Sequence, residues 1–597
     1  MTAPPVRSAV PAADTWDLSR LFPDDAAWEA AFAAWQATFA GYAPLAGTLG
    51  SGPAALRAAL DFDLSVERAG DRLGTYAFLR FTEDVADSTY QGMKGRYTGA
   101  ATKAAELSSF LRPELMAIPD DVMAGVLADP LLADHKLSLE RLRRFKPHTL
   151  GGPEERLLAM QAEVAGTARN VFDQLLDADL TFGTIEVMPG QPQPLTHGSY
   201  AVALESQDRA VRKQAFHQYY AGFQAHANTL AATFAGSVKQ DVYNARVRNY
   251  SGARALAMFP DNVPEVVYDN LIHAVRANLP AVHKYYELRK RAMGLDAIHF
   301  YDVYVPILSD VRKRTGWADA VELVIESLKP LGPAYTAALT AGLRGRWCDR
   351  YENKGKHSGA FSSGCFDSDP YILMNYKDEV FDHVFTLAHE AGHSMHSHLS
   401  HTHQPYQYSG YTIFVAEVAS TFNEQLLLRH LLKHATDKRE RAYLLNREID
   451  DIRKTLVRQT MFAEFEATTH RLAEANEPLT LDRLRAEYRT LLAAYFGPGF
   501  VLDAELSLEC LRIPHFYRAF YVYKYATGLA AAVALADRVS DGGAAELEAY
   551  LGFLKGGSSK DPLDLLRGAG VDMASPEPVA AALARFGTLV DELAELV

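Results

Sequence analysis

The sequence predicts a mainly α-helical protein of many helices that also contains a small β-hairpin. Apolar residues recur at three- and four-residue steps over long stretches, which is the spacing that lines one face of a helix. The longest of these stretches are 206–248, 264–293, 317–343 and 438–475. Strand-like patterns bounded by turn residues are short, and they fall around 178–200 and 358–376.

Composition places the chain among globular proteins. Its 597 residues are enough for several domains, and apolar and charged residues make up 48% and 22% of them. The formal net charge of −14 argues against nucleic acid or an anionic membrane as a partner. We also find no apolar run long enough to span a bilayer.

Cysteine content and the first residues indicate the cell compartment. Three cysteines, Cys348, Cys365 and Cys510, are too few for a disulfide framework, which suits a reducing cytoplasm. The opening MTAPPVRSAVPAADTW lacks the apolar core of a signal peptide. We therefore expect a cytoplasmic protein.

A change of pattern near residue 195 suggests a domain boundary. Residues 1–15 have the composition of a flexible arm, and residues 16–195 form a helical N-terminal domain in this interpretation. Between 178 and 200, the segments LTFGTIEV, MPGQPQP and LTHGSYAV indicate a strand, a turn and a second strand. Residues 196–597 are then the catalytic domain.

The segment 386–394 (TLAHEAGHS) carries the strongest chemical signal. On a helix, His389 and His393 share a face, so both rings can reach one metal ion. Glu390 can then accept a proton from a water molecule on that ion, as in a zinc peptidase. The surrounding residues 377–401 contain no proline and have an apolar stripe at helical spacing, so the polar groups lie beside a buried face and need a partner.

A catalytic zinc site needs a third protein ligand. The metzincin pattern is excluded because its third His would fall at position 399, which is Leu. In the next predicted helix, 411–435, Glu417 lies between apolar neighbours and is our third ligand. Glu424 lies two turns further along the same face, where it can accept a hydrogen bond from a ligand His; an ordinary salt bridge is the alternative.

The chain resembles the thimet oligopeptidase family, and most closely its oligoendopeptidase F branch. The resemblance rests on LAHEAGHSMHS followed by FVAEVASTFNE, with 24 residues from His393 to Glu417. The stretches 354–376, 513–528 and 553–573 and the opening WDLSRLFPDDAAWE agree with it. It implies a mostly helical peptidase with a deep central channel that admits short peptides and excludes folded proteins.

The predicted hairpin precedes the metal helix. Residues 358–366 and 371–376 read as its two strands, and an exposed strand edge there can pair with the backbone of a peptide. By resemblance to the family, Gly359 and Ala360 lie on that strand and bind substrate. A hairpin that only packs against the helix is the alternative.

The segment 513–528 (IPHFYRAFYVYKYATG) is rich in hydrogen-bond donors. Zinc-dependent amide hydrolysis builds negative charge on the carbonyl oxygen, and a Tyr hydroxyl or an imidazole can stabilise it. The resemblance implies a His and one or two Tyr in this role, which we assign to His515 and Tyr525, with Tyr521 as a further partner. The choice among these tyrosines and Tyr517 and Tyr523 stays open.

We therefore expect a zinc-dependent endopeptidase that binds one Zn²⁺ per chain and cleaves internal bonds of short, unstructured oligopeptides. An exopeptidase of the same clan is the nearest alternative and would need a cationic pocket for the terminal carboxylate. A non-catalytic peptide-binding protein and a metal-storage protein are rivals from other classes, but neither needs Glu390. The sequence does not set the cleavage-site preference, the oligomeric state, or whether another divalent metal replaces zinc.

Overall fold

The computed structural model describes residues 4–188, 190–308 and 314–597. It is mainly helical with three small sheets in these residues, which confirms the predicted fold class. The helices of the first half are α1 (Asp25–Thr38), α2 (Pro53–Glu83), α3 (Ser88–Ser108), α4 (Leu111–Ala117), α5 (Asp120–Ala128), α6 (Lys136–Arg143), α7 (Gly152–Ala165), α8 (Thr167–Gln174), α9 (His197–Leu204), α10 (Arg209–Ala225), α11 (Ala227–Val247), α12 (Ala253–Met258) and α13 (Val266–Ala292).

The second half continues in the same way. Its helices are α14 (Trp317–Ser327), α15 (Gly332–Arg344), α16 (Asp382–His403), α17 (Tyr406–Ser409), α18 (Ile413–His434), α19 (Lys438–Asp451), α20 (Arg458–Glu474), α21 (Leu481–Phe496), α22 (Tyr523–Asp541), α23 (Ala544–Leu554), α24 (Pro562–Gly568) and α25 (Glu577–Ala594). The strands are β1 (Thr184–Met188), β2 (Gln191–Pro194), β3 (Ile298–His299), β4 (Cys348–Asp349), β5 (Phe361–Ser363), β6 (Tyr371–Leu373) and β7 (Phe500–Val501).

The chain divides into two compact units, each built from three separate segments. The first unit contains residues 1–147, 312–427 and 536–569, and the second contains 148–311, 428–535 and 570–597. The predicted boundary near residue 195 falls inside the second unit. The two compact units therefore do not coincide with the domains 16–195 and 196–597 that the sequence pattern suggests. Those two domains stay a prediction.

The first unit holds the sheet in the order β4-β6-β5. Strands β5 and β6 are antiparallel, with Phe361 opposite Leu373, and β4 runs parallel to β6. Both hairpin strands contact α16, so the predicted hairpin beside the metal helix is confirmed, although its strands are shorter than expected. Trp16 anchors the opening segment in the core of this unit, where its ring meets the edge of Tyr371.

The second unit is a helical assembly in which α13 packs along α25 and also contacts α20 and α21. Helix α11 contacts α8 and α20. Strands β1 and β2 form an antiparallel pair, with Ile185 opposite Gln193. The hydrogen bonds and ring contacts inside this unit also fix the segment 513–525.

Several predicted helices are interrupted. The stretch 206–248 forms α10 and α11, and 317–343 forms α14 and α15 with a 3₁₀ turn that contains Pro330 between them. The prediction of a second strand over LTHGSYAV is wrong, because α9 begins at His197. There the Thr196 hydroxyl accepts the Ser199 N–H, and the Ser199 hydroxyl accepts the Thr196 N–H, a capping box that starts a helix.

The predicted arm 1–15 lies partly outside the described residues, which begin at residue 4. From there it is bonded to the first unit. Arg7 donates to both Asp349 and Asn353, and it pairs with Glu83. Asp349, almost fully buried, also pairs with buried Lys356 at 2.6 Å. This network fixes the chain that leads from β4 towards β5.

All three cysteines are free and buried. Burial raises the pKa of the Cys365 thiol, which packs in the core of the first unit. Over the described residues, the structure contains no helix with the length and apolar character needed to cross a bilayer.

The Arg7 network generates a stability prediction. Arg7→Ala removes a charge that neutralises Asp349, whose side chain is 1% exposed. We expect a loss of about 1–3 kcal/mol, and a melting temperature lower by about 2–4 °C in differential scanning fluorimetry. Arg20→Ala is the matched control, because Arg20 also pairs with an aspartate but is 69% exposed, and its removal should shift the melting temperature by less than about 1 °C. Equal shifts for both variants would contradict the prediction.

Candidate metal centre

Helix α16 presents the predicted motif at the edge of its buried face. Val384, Leu387, Ala388, Ala391 and Met395 form the apolar stripe expected from the sequence. His389 and His393 lie beside that stripe and are partly buried, whereas Glu390 is only 7% exposed. The local sequence therefore places two imidazoles and a carboxylate where water is mostly excluded.

Gly392 allows α18 to approach α16 very closely. A Cβ atom at Gly392 would lie 2.6 Å from both the Ala419 carbonyl oxygen and the Ser420 Cα. Asn423 on α18 also donates to the Ala388 carbonyl on α16 at 3.2 Å. The two helices are therefore in contact just before the motif and within it, which brings the first turns of α18 to the histidines.

The three predicted ligands converge. Glu417 Oε2 lies 3.5 Å from His389 Nε2 and 3.8 Å from His393 Nε2, and one ligand atom from each of the three lies within 4.8 Å of the others. Tetrahedral zinc with bonds of about 2.1 Å separates its ligand atoms by about 3.4 Å. The donor set of two imidazoles and a carboxylate fits such an ion. Among the described residues, it is the one group of three or more potential ligand side chains at this spacing.

Each ring also has a partner other than Glu417. His389 Nδ1 lies 2.8 Å from Glu424 Oε1, where a carboxylate can orient a ligand imidazole. The His393 ring interacts with the backbone carbonyl of Ala416. Both Nε2 atoms lie within 3.8 Å of Glu417 Oε2 at the shared position.

Nearby charges set the ionisation of the two rings. Burial lowers the pKa of His389, but the bond to Glu424 and the surrounding carboxylates raise it to about 9 overall. The pKa of His393 falls to about 3 through burial and the adjacent charge of His389. Without a bound cation, the proton at pH 7 therefore resides on His389, and a cation would have to displace it.

Glu390 is held by the strand beside it. The backbone N–H of Ser362 in β5 donates to its carboxylate, and the Ser362 and Ser394 hydroxyls are bonded at 2.8 Å. Burial raises the pKa of Glu390 to about 7, and the charge of Glu417 adds to the rise while His389 opposes it. The group can therefore both accept and release a proton near neutral pH.

Gly359 and Ala360 lie just before β5 and not on it, so that expectation is corrected. Gly359 has a φ of +81°, a left-handed conformation that interrupts the extended strand. Its carbonyl accepts a bond of 2.8 Å from the Asn375 side chain. Both residues line a pocket of about 510 Å³, together with Thr386 of α16, at the edge of the sheet.

The second unit brings together the predicted oxyanion donors. Tyr525 Oη lies 3.4 Å from His515 Nε2, and the Tyr521 ring centroid lies 5.3 Å from that of Tyr525. The pKa of His515 is lowered by partial burial and then by Arg169 and Arg518. This imidazole is thus neutral at pH 7.

The four candidate tyrosines differ in their surroundings. Tyr517 bonds to Thr233 and stacks on Phe172, and Tyr523 is buried against Tyr268. Tyr521 and Tyr525 are the two that lie beside His515. The sequence-based choice of this pair agrees with the geometry, and the catalytic roles of the pair stay a prediction.

Sequence reasoning missed three supporting groups: Ser362, Asn423 and the Ala416 carbonyl. Asn423 had a detectable signal, because it is a polar residue within an apolar helix and directly precedes Glu424. The other two act through backbone groups, which any residue type supplies, so no sequence pattern marks them.

Comparison with known proteins agrees with this architecture. Residues 202–585 match the model of peptidase family M3, and residues 114–182 match the model described as oligopeptidase F. Oligopeptidase PepF of Bacillus subtilis is 43% identical over 595 residues, covering 99% of this chain and 88% of the relative. The plasmid-encoded oligoendopeptidase F of Lactococcus lactis subsp. cremoris is 36% identical, covering 99% and 98% of the two chains.

Solved structures show the same fold. A crystal structure of oligoendopeptidase F from Enterococcus faecium superposes with a TM-score of 0.74 at 34% identity, covering 96% of this chain and 99% of that one. A protein from Chlamydophila abortus gives a TM-score of 0.93 at 35% identity and covers all of both chains.

These matches define a peptidase with the oligoendopeptidase F fold. The chain belongs to peptidase family M3. The expected relationship to the oligoendopeptidase F group is confirmed, whereas the wider grouping with thimet oligopeptidase stays a prediction.

The contact at Gly392 generates a test of the metal centre. In Gly392→Ala the new methyl group would force α18 away from α16, so we expect weaker metal binding and a lower melting temperature. Competition with a chelator of known affinity measures the first effect. Gly95→Ala is the matched control, because no atom lies within 4 Å of its Cβ position on α3 and alanine favours helix there. Metal affinity unchanged in Gly392→Ala would show that the spacing of the two helices does not set the site.

Proposed function

We propose that the protein is a zinc-dependent endopeptidase that hydrolyses internal peptide bonds of short, unstructured oligopeptides. One observation carries this proposal: three ligand atoms converge beside a buried glutamate whose carboxylate is held by a strand edge. His389, His393 and Glu417 would hold the ion. When bound, zinc would act as a Lewis acid that polarises the scissile carbonyl and increases the acidity of water.

Glu390 moves the proton in this mechanism. Its carboxylate accepts a proton from the attacking water molecule and returns that proton to the nitrogen of the departing amine. Burial, which raises the pKa of Glu390 above that of an exposed carboxylate, makes the group a better proton acceptor. The N–H of Ser362 keeps the carboxylate oriented while its charge changes.

His515 and Tyr525 are proposed to donate to the carbonyl oxygen as it gains negative charge. Because the pKa of His515 is lowered, the neutral ring donates through one nitrogen and its tautomer matters. The 3.4 Å separation of its Nε2 from Tyr525 supports a shared task for the two groups. Tyr521 is the third proposed member.

The names of the relatives support short peptides as substrates, and oligoendopeptidase in several of those names supports internal cleavage. Pairing with the open edge near β5 would bind the substrate backbone and so tolerate many sequences. The deep channel, the substrate contacts of Gly359 and Ala360, and a cytoplasmic location stay predictions. An exopeptidase remains the alternative function.

Glu390→Gln should retain bound metal but lose at least about a thousandfold in kcat, because the amide cannot accept the proton. A quenched peptide blocked at both ends is the substrate, and elemental analysis measures the metal. Cleavage of this doubly blocked peptide by the wild-type enzyme separates an endopeptidase from an exopeptidase, and loss of that cleavage with a chelator shows that the activity needs a metal ion. Substantial turnover by Glu390→Gln would exclude the residue as the base.

Glu417→Ala and Glu424→Gln separate a ligand from an orienting residue. Removing Glu417 should lower the zinc content well below one ion per chain after dialysis. Glu424→Gln keeps a hydrogen-bonding group at the His389 ring, so we expect a full site with about 10–100-fold weaker metal affinity. If Glu417→Ala retains one ion per chain, the third ligand lies elsewhere.

A further inference from the structure

Phe520 has an unusual backbone conformation in the segment that carries the proposed oxyanion donors. Its φ is +56°, in the left-handed region. The other described non-glycine residues with positive φ are all asparagines, which tolerate this conformation far better than an aromatic residue does. Something in the structure must therefore hold Phe520 in place.

Glu466 on α20 supplies that hold. Its Oε1 accepts the backbone N–H of Phe520 at 3.0 Å. The Phe520 ring is buried, with its centroid 4.6 Å from that of His470 and 5.7 Å from that of Tyr268. One hydrogen bond and a closed ring pocket thus fix both the backbone and the side chain of the strained residue.

The carboxyl group of Glu466 has no other evident task. It is 1% exposed, and its Oε2 atom has no hydrogen-bond partner. Asp241, whose charge also raises the pKa of Glu466, lies 3.2 Å from His470 Nε2 and is thus bonded elsewhere. Burial raises the pKa of Glu466 well above its usual value. Burying an apolar side chain at this position would cost less free energy than burying a carboxyl group. The bond to the Phe520 N–H is what the carboxyl group provides in return.

Along the chain, Phe520 follows His515 and directly precedes the two tyrosines, Tyr521 and Tyr525. Its left-handed conformation turns the chain after the 3₁₀ segment Pro514–Tyr517 and before α22 begins at Tyr523. After this turn, the Tyr521 ring centroid lies 6.1 Å from that of His515, and the Arg518 guanidinium covers the Tyr521 ring at 4.2 Å. The approach of Tyr525 to His515 depends on the same turn.

We propose that Glu466 is a positioning residue for hydrolysis: by holding the Phe520 N–H, it keeps Tyr521 and Tyr525 against His515. This inference rests on the proposed function, in which those donors stabilise the oxyanion. Glu466 bonds to none of the three and acts through Phe520.

Glu466→Leu and Glu466→Gln test the proposal in the full-length enzyme. The amide oxygen of Gln can accept the same N–H, so kcat should stay within about twofold of wild type. Leu cannot, so kcat should fall about 10–100-fold while KM changes by less than about threefold and the zinc content is unchanged. Should Glu466→Leu fail to fold, Glu466→Asp, which retains the acid with a shorter reach, takes its place.

Thr460→Val is the matched control for a purely structural effect. Thr460 is a fully buried residue on the same helix, and its hydroxyl donates to the Leu456 carbonyl at 2.7 Å. It should lower the melting temperature without changing kcat per folded chain. Loss of kcat in this control equal to that in Glu466→Leu would overturn the positioning role.

A double-mutant cycle with Tyr525→Phe distinguishes the two proposals. If Glu466 acts through Tyr525, the loss of kcat from Glu466→Leu should shrink to less than about threefold in the Tyr525→Phe background. Full additivity of the two losses would overturn the positioning role. If Tyr525→Phe and His515→Ala both retain wild-type kcat, the oxyanion assignment fails; if they lose kcat and Glu466→Leu does not, only the positioning role fails.

Discussion

The close approach of α16 and α18 at Gly392 is the constraint on which the candidate metal centre depends. Each histidine is set by α16 alone, but Glu417, Glu424 and the Ala416 carbonyl reach the rings only because the α18 backbone lies almost against the α16 backbone. A single methyl group would occupy the space that this contact uses. Gly392, the smallest residue in the motif, therefore determines how closely Glu417 on α18 can approach the two histidines.

The groups around the site change the proton affinities of His389 and Glu390 in different ways. Carboxylates on α18 raise the proton affinity of His389, burial makes Glu390 a weaker acid, and β5 contributes a backbone donor to that same carboxylate. A cation at the shared position would neutralise this excess of negative charge. The negative charge of these carboxylates thus favours a cation at the shared position.

The sequence predicted those features that depend on periodicity and spacing. The helical motif, Glu417 and Glu424 follow from the 3.6-residue repeat, and the hairpin follows from the turn residues Asp367–Pro370. It could not predict that Gly359 and Ala360 precede the strand, since the left-handed φ of Gly359 is set by tertiary bonds. The strand expected over 195–202 is a helix because two hydroxyl caps outweighed its local pattern. Each unit also brings together segments that are far apart along the chain, and no local sequence pattern reveals which segments will pack together.

The assembly of each unit from three separated segments has a consequence for biosynthesis. Helix α16 packs against α23, where the ring centroids of Phe553 and His396 lie 5.4 Å apart, so the metal helix is fully covered only by residues translated well after it. A ribosome releases the N-terminus first, and domains fold as units when their residues are available. The candidate site therefore matures only after α23 has emerged, and a molecule synthesised only as far as α18 lacks this part of the packing around the metal helix.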